Sequence, residues 1–155
     1  ALLPQSCAVT IWHQAGSGID VARAAYGEAS HELQLDEFIE DMALAYGWAD
    51  LVICRAGALT VSELSAAGIG AVLVPFPHAI DDHQLKNATS FASNGAGVVI
   101  PESELTPERL ATDLSELLAD RSTLMRLAEC ARAQARPQAT EILADACMAY
   151  VEESA

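Results

Sequence analysis

The chain has 155 residues, a length that suits one domain with a hydrophobic core of its own. Its formal net charge is −14, a field that repels nucleic acid and anionic lipid head groups, so any bound phosphate needs a local device. No apolar run approaches the roughly 18 residues of a spanning helix, and the start Ala1-Leu2-Leu3-Pro4-Gln5 lacks the basic region and apolar run of a secretion signal.

In chain order, short apolar β-branched runs alternate with stretches of helical period, the pattern of a parallel sheet covered by helices. Strands are predicted at Ala8 to Trp12, His31 to Leu35 (the weakest), Leu51 to Cys54, Ala71 to Val74 and Gly97 to Ile100. Helices are predicted between them at Ile19 to Ala29, Phe38 to Tyr46, Leu59 to Ala67 and Gln84 to Ser93. Gly47, Gly68 and Gly95 are read as the turns that end three of them. Beyond Ile100 only helices are expected. Thr106 as N-cap with Pro107 at the first helical position opens one to about Ala119, and two more follow at Ser122 to Ala135 and Gln138 to Val151. The class is α/β, a Rossmann-like sheet with helices on both faces and an all-helical tail, in one domain over residues 1–155. Cys7, Cys54, Cys130 and Cys147 are far apart, with no CxxC pair and no zinc spacing, and are expected to be reduced, cytoplasmic thiols without a metal.

Open parallel sheets bind ligands beyond the carboxyl ends of their strands, so the residues after each strand carry the functional argument. After the third strand runs Cys54-Arg55-Ala56-Gly57-Ala58-Leu59-Thr60-Val61-Ser62-Glu63. Gly57 admits a close approach, and the free N–H groups at Ala58, Leu59 and Thr60 form a diphosphate seat without lysine. Backbone dipoles suit an acidic chain because they need no basic patch. Glu63, about one turn inside the helix, reaches what is attached to the phosphates, and a carboxylate accepts from both hydroxyls of a ribose. Spacing alone equally allows Ser62 and Glu63 to be residues that stabilise the helix dipole. After the fourth strand, Pro75-Phe76-Pro77-His78 stiffens a loop, and Asp81 or Asp82 is expected to cap the helix bearing His83, Gln84 and Asn87, groups suited to sugar hydroxyls. A well-capped surface helix accounts for this stretch as well. Phe38 can cover a planar base while the Ile39 backbone reads its edge, although both are more often core residues. His13-Gln14-Ala15-Gly16-Ser17-Gly18 is a glycine loop of low specificity.

Taken together, Phe38-Ile39-Glu40-Asp41-Met42, Cys54 to Glu63, Pro75-Phe76-Pro77, Asp82-His83-Gln84 and Asn87-Ala88 resemble the MurG family in order and spacing, and Thr10-Ile11-Trp12-His13-Gln14 extends the resemblance. The resemblance implies the carboxyl-terminal, donor-binding half of a two-domain GT-B glycosyltransferase. Such an enzyme moves N-acetylglucosamine from UDP-N-acetylglucosamine to a lipid-linked muramoyl-pentapeptide with inversion, in the peptidoglycan precursor synthesis on which cell wall, cell shape and division depend. It implies that Phe38 caps uracil and the Ile39 backbone contacts it. Glu63 would bind ribose, Ala58 to Thr60 would cradle the diphosphate and nearby sugar atoms, Gly57, Val61 and Ser62 would belong to the same substrate-binding segment, and His83 and Gln84 would read the sugar. No cofactor is implied. The catalytic base, the acceptor site and contact with the cytoplasmic face of the inner membrane would belong to an amino-terminal domain that this chain lacks, together with a first strand and its Gly-Gly-Ser loop. Ala56 stands where the family usually has serine, which suggests a tuned site. Two alternatives remain, one half of a split transferase and a non-catalytic nucleotide-sugar-binding module. An epimerase of similar fold is disfavoured because Cys54-Arg55-Ala56-Gly57 replaces its Asp-Ser-Gly-Gly-type turn.

Overall fold

The computed structural model describes residues 9–27, 32–77 and 82–153. Five strands and seven α-helices follow one another in these segments: β1 (Thr10–Gln14), α1 (Ile19–Tyr26), β2 (Glu32–Asp36), α2 (Met42–Trp48), β3 (Val52–Cys54), α3 (Ala58–Ala67), β4 (Ala71–Leu73), α4 (His83–Ser93), β5 (Gly97–Val99), α5 (Pro107–Leu117), α6 (Arg121–Ala133) and α7 (Ala139–Glu153). The alternation predicted from sequence is therefore present, with an all-helical tail after β5. The expected starts at Ala8 and His31 lie outside the described residues.

All strand pairs are parallel, but they form two sheets: β1 with β2, and β3-β4-β5 in that order. β4 is central in its sheet and buried along its whole length, which explains its unbroken apolar sequence. Its side chains alternate between two cores, as the two-residue period of a strand requires. Ala71 and Leu73 join Leu64 of α3, Ala88 and Phe91 of α4 and Ala131 of α6. Val72 points the other way, toward Leu117 of α5 and Leu127 of α6, with Ile100 beside it. Helices thus cover both faces, and the turn after β3 is anchored from beneath, because Ala56 belongs to the first core and is fully buried.

Several boundaries differ from the sequence reading for local reasons. α2 begins at Met42 rather than Phe38, because the Asp41 side chain accepts a hydrogen bond from the Leu44 N–H at 2.8 Å and caps the helix there. Phe38 and Ile39 consequently lie in the preceding loop. Gly47 does not end this helix but lies within it, whereas Gly68, with φ of 74°, ends α3 as predicted. α1 stops at Tyr26, where Gly27 turns to a φ of 52°. Asp82 precedes α4 with a left-handed φ of 56° and makes no side-chain cap, so the expected capping by Asp82 is not found; Asp81 lies outside the described residues. Thr106 caps α5 as predicted, its hydroxyl oxygen accepting from the Arg109 N–H at 3.1 Å with Pro107 at the first helical position. α7 leaves Ile142, Leu143, Met148, Tyr150 and Val151 exposed. Among the described residues no helix is long and apolar enough to cross a membrane.

Candidate functional site

The carboxyl ends of β3, β4 and β5 open onto one edge of their sheet, and the turn after β3 is its best-defined feature. Gly57 precedes α3 with φ of −62° and ψ of 150°, extended backbone that any residue adopts. A β-carbon at position 57 would meet only the Thr60 hydroxyl oxygen, at an ordinary 3.5 Å. Among the described residues no packing contact and no backbone dihedral demands glycine here. The first intrahelical bond is donated by Val61 to the Gly57 carbonyl at 3.0 Å. The N–H groups of Ala58, Leu59 and Thr60 precede it and, by helix geometry, have no acceptor within α3. Leu59 is 79% exposed on this first turn.

Three side chains hold the turn and the loop after β4 in place. Asn87 of α4 donates to the Ala56 carbonyl at 3.1 Å, so α4 supports the turn directly. Gln84 uses its amide oxygen to accept from the Phe76 N–H at 2.9 Å, fixing the loop after β4. Arg55 joins three strand ends. It pairs with Glu102 beyond β5 at 2.5 Å, donates to the Val74 and Pro75 carbonyls after β4 at 3.3 and 3.4 Å, and lies 5.5 Å from the centre of the Phe76 ring. Each contact is weak and partly exposed, but the planar guanidinium makes them together, which a lysine ammonium cannot. Arg55→Lys is accordingly expected to destabilise the chain nearly as much as Arg55→Ala, by about 1 kcal/mol. Urea unfolding of the two variants checks this, and a lysine variant as stable as wild type would rule out the multi-loop clamp.

Glu63 lies exposed on α3, and its carboxylate accepts from the Tyr46 hydroxyl of α2 at 2.9 Å. Ser62 does not face outward for hydrogen bonding: its hydroxyl donates back to the Ala58 carbonyl at 2.9 Å. Across the first sheet, Gln14 at the end of β1 accepts from the Ile39 N–H at 2.8 Å. That N–H is thus engaged. Phe38 beside it is 69% exposed, so the core role that sequence alone favoured is excluded. Burial pushes the Cys54 thiol up to about 11, which keeps it protonated and unreactive at neutral pH. Among the described residues no group of three or more His, Cys, Asp or Glu side chains could hold a metal, and Cys54, Cys130 and Cys147 are free thiols.

The predicted residues do not close around one pocket. Leu59, Val61, Ser62 and Glu63 line a groove of about 970 Å³ whose far wall is the end of α6 and the link to α7, including Arg132 and Arg136. Phe38, Ile39, His83 and Gln84 are not part of it. The residues after the strands form an open ledge rather than a cavity. Sequence reasoning gave no role to the Tyr46 hydroxyl, the Gln14 amide or the Arg55 guanidinium. A tyrosine among the apolar residues of a short predicted helix was the available signal for the first, since a phenol that packs on a core needs a partner.

A parallel sheet with a glycine turn and helix N-terminus at its carboxyl edge defines an α/β half of Rossmann type, and solved glycosyltransferases share it. The glycosyltransferase of kitacinnamycin superposes with a TM-score of 0.59 at 23% identity over 79% of this chain and 30% of that one, and VinC in complex with dTDP with 0.56 at 22% over 74% and 29%. Likeness at that level shows the fold alone, that of one half of a GT-B glycosyltransferase. The chain belongs to the glycosyltransferase family 28 C-terminal domain family, whose model matches residues 2–143. The crystal structure of Acinetobacter baumannii MurG superposes with a TM-score of 0.83 at 45% identity, covering 88% of this chain and 42% of that one. The UDP-N-acetylglucosamine–N-acetylmuramyl-(pentapeptide) pyrophosphoryl-undecaprenol N-acetylglucosamine transferases of Marinobacter nauticus and Azoarcus sp. are 52% identical over 149 residues and 53% over 153. These alignments take in 96% and 98% of this chain but only 41% and 42% of the relatives, so the chain spans about two-fifths of their length.

Proposed function

We propose that the chain is the donor-binding part of an inverting transferase that moves N-acetylglucosamine from UDP-N-acetylglucosamine to a lipid-linked muramoyl-pentapeptide. The observation that carries the reading is the helix start after β3, a glycine the chain itself does not need followed by three N–H groups without intrahelical acceptors, with Glu63 further along the same helix. Ala58 to Thr60 cradle the diphosphate through these backbone groups, with Gly57 giving room for its approach and Val61 and Ser62 lying on the next turn of the same helix; Glu63 takes the ribose hydroxyls, Phe38 covers uracil and the Ile39 backbone contacts its edge. His83 and Gln84 contact the sugar, with Gln84 contributing its amide N–H while its oxygen holds Phe76. During transfer the acceptor hydroxyl attacks the anomeric carbon, the bond to the diphosphate breaks and negative charge grows on UDP. Helix N–H groups already aimed at that position stabilise the leaving group without reorganising. No group here is assigned as the base that takes the acceptor proton.

The division of the sheet supports a larger polypeptide. A doubly wound sheet of six strands has the order 3-2-1-4-5-6. The pairs β2-β1 and β3-β4-β5 match positions 3-2 and 4-5-6, and Ile53 on β3 is 48% exposed although its strand belongs to a buried parallel sheet. A strand from a preceding segment fits between β1 and β3, would bring a further phosphate-contacting loop to the ledge, and would belong to a polypeptide whose amino-terminal domain binds the acceptor and meets the cytoplasmic face of the membrane. Calorimetric titration of the full-length polypeptide with UDP-N-acetylglucosamine, UDP-glucose and ATP tests the donor assignment. Selective binding of the first is expected; equal binding of all three, or none, would overturn it. Transfer to a lipid-linked muramoyl acceptor by the 155-residue chain alone would overturn the division of labour.

A further inference from the structure

Glu63 is an exposed side chain on a helix surface, and an unrestrained glutamate there loses up to roughly 2 kcal/mol of rotamer freedom when a ligand orders it. Tyr46 changes that. Its ring packs against the core that contains Leu64 and Phe91, so the phenol is carried on a rigid base, and its hydroxyl donates to Glu63 Oε2 at 2.9 Å. Burial, with the neighbouring carboxylate, raises the phenol above its ordinary value, so it keeps the proton it donates. Among the described residues no hydrogen bond engages Glu63 Oε1, and Oε2 retains a second lone pair.

We propose that Tyr46 is a positioning residue of the nucleotide site: by holding Glu63 in one orientation before ligand arrives, it sets the preference for a ribose diol over a deoxyribose. The proposal rests on the assignment of Glu63 to the ribose hydroxyls. Tyr46 touches no ligand itself. Its effect is preorganisation, because a carboxylate already ordered gives up less on binding. The effect is confined to ligands with hydroxyls for Glu63 to accept from, and one lacking them gains nothing from a well-placed carboxylate.

The test is titration of the full-length polypeptide with UDP and with 2′,3′-dideoxy-UDP, in the wild type, Tyr46→Phe and Glu63→Ala, with thermal melting of each. Phenylalanine keeps the ring that packs on the core and removes only the donor. Tyr46→Phe is expected to bind UDP about 3- to 10-fold more weakly, the size of one hydrogen bond, with dideoxy-UDP affinity unchanged. Weakening of both ligands by the same factor would show a merely structural role, and no change in either would show none; both outcomes overturn the proposal. Glu63→Ala separates it from its premise. If that variant still prefers UDP over the dideoxy ligand, the ribose assignment fails and the Tyr46 proposal with it. If Glu63→Ala loses the preference while Tyr46→Phe keeps it, the ribose assignment stands and the Tyr46 proposal alone falls.

Discussion

Replacing Gly97 with alanine is expected to destabilise the fold by about 3 kcal/mol or more, a large part of the roughly 5–15 kcal/mol that holds a domain together. Gly97 opens β5 opposite Ala71 of β4, and a β-carbon there would stand 2.1 Å from the Ala71 carbonyl oxygen and 3.0 Å from its carbon. Those are backbone atoms of a fully buried strand, so no flexible side chain can give way. Relief requires β5 to part from β4, which strains the bonds from the Ala71 N–H to the Ala96 carbonyl at 3.1 Å and from the Ile100 N–H to the Leu73 carbonyl at 2.9 Å. Gly47 is the control. It lies inside α2 with no atom within 4 Å of an added β-carbon. Alanine there is expected to stabilise by about 0.5–1 kcal/mol, the difference in helix propensity. Urea denaturation of both variants checks the pair, and a Gly97→Ala loss under about 1 kcal/mol would contradict the β4–β5 register.

Glu63→Ala is expected to weaken UDP binding by about 1–3 kcal/mol, roughly 5- to 150-fold, the range for losing hydrogen bonds to a charged group. The same change should leave the midpoint of unfolding almost where it was, because Glu63 is exposed and its bond to Tyr46 is its one recorded hydrogen bond among the described residues. This separation of affinity from stability is the informative part. A dissociation constant unchanged in the folded variant would return Glu63 to a role in the helix alone.

The predicted strands were legible because buried parallel strands are written as short apolar runs, and β4 with neighbours on both sides is the plainest case. The turn from Cys54 to the start of α3 was legible for a related reason: a glycine between an apolar run and a helical period marks a strand–turn–helix junction whatever surrounds it. Helix starts were read less well. Asp41 caps α2 and Asp82 does not cap α4 by its side chain, although both are aspartates ahead of a helical period. Which of them reaches a backbone N–H depends on the dihedrals of the loop, and composition does not carry those. Gly47 was misread as a stop because α2 tolerates it: an exposed helix interior charges glycine only a propensity difference, which packing elsewhere offsets.

The sequence by itself determined the class, the order of elements, the glycine turn that opens α3 and the net negative charge. Each of these is local or additive along the chain, so pattern and charge are sufficient to define them. The tertiary structure alone decided that the strands form two sheets, that Phe38 stands in solvent while Gln14 holds Ile39, and that Arg55 bridges the ends of β3, β4 and β5. It alone brought the Tyr46 hydroxyl to Glu63 from 17 residues away. Contacts of that kind depend on how α2 packs on α3 and how the loops cross the sheet edge, and packing of distant segments leaves no periodic trace in the residues that make it.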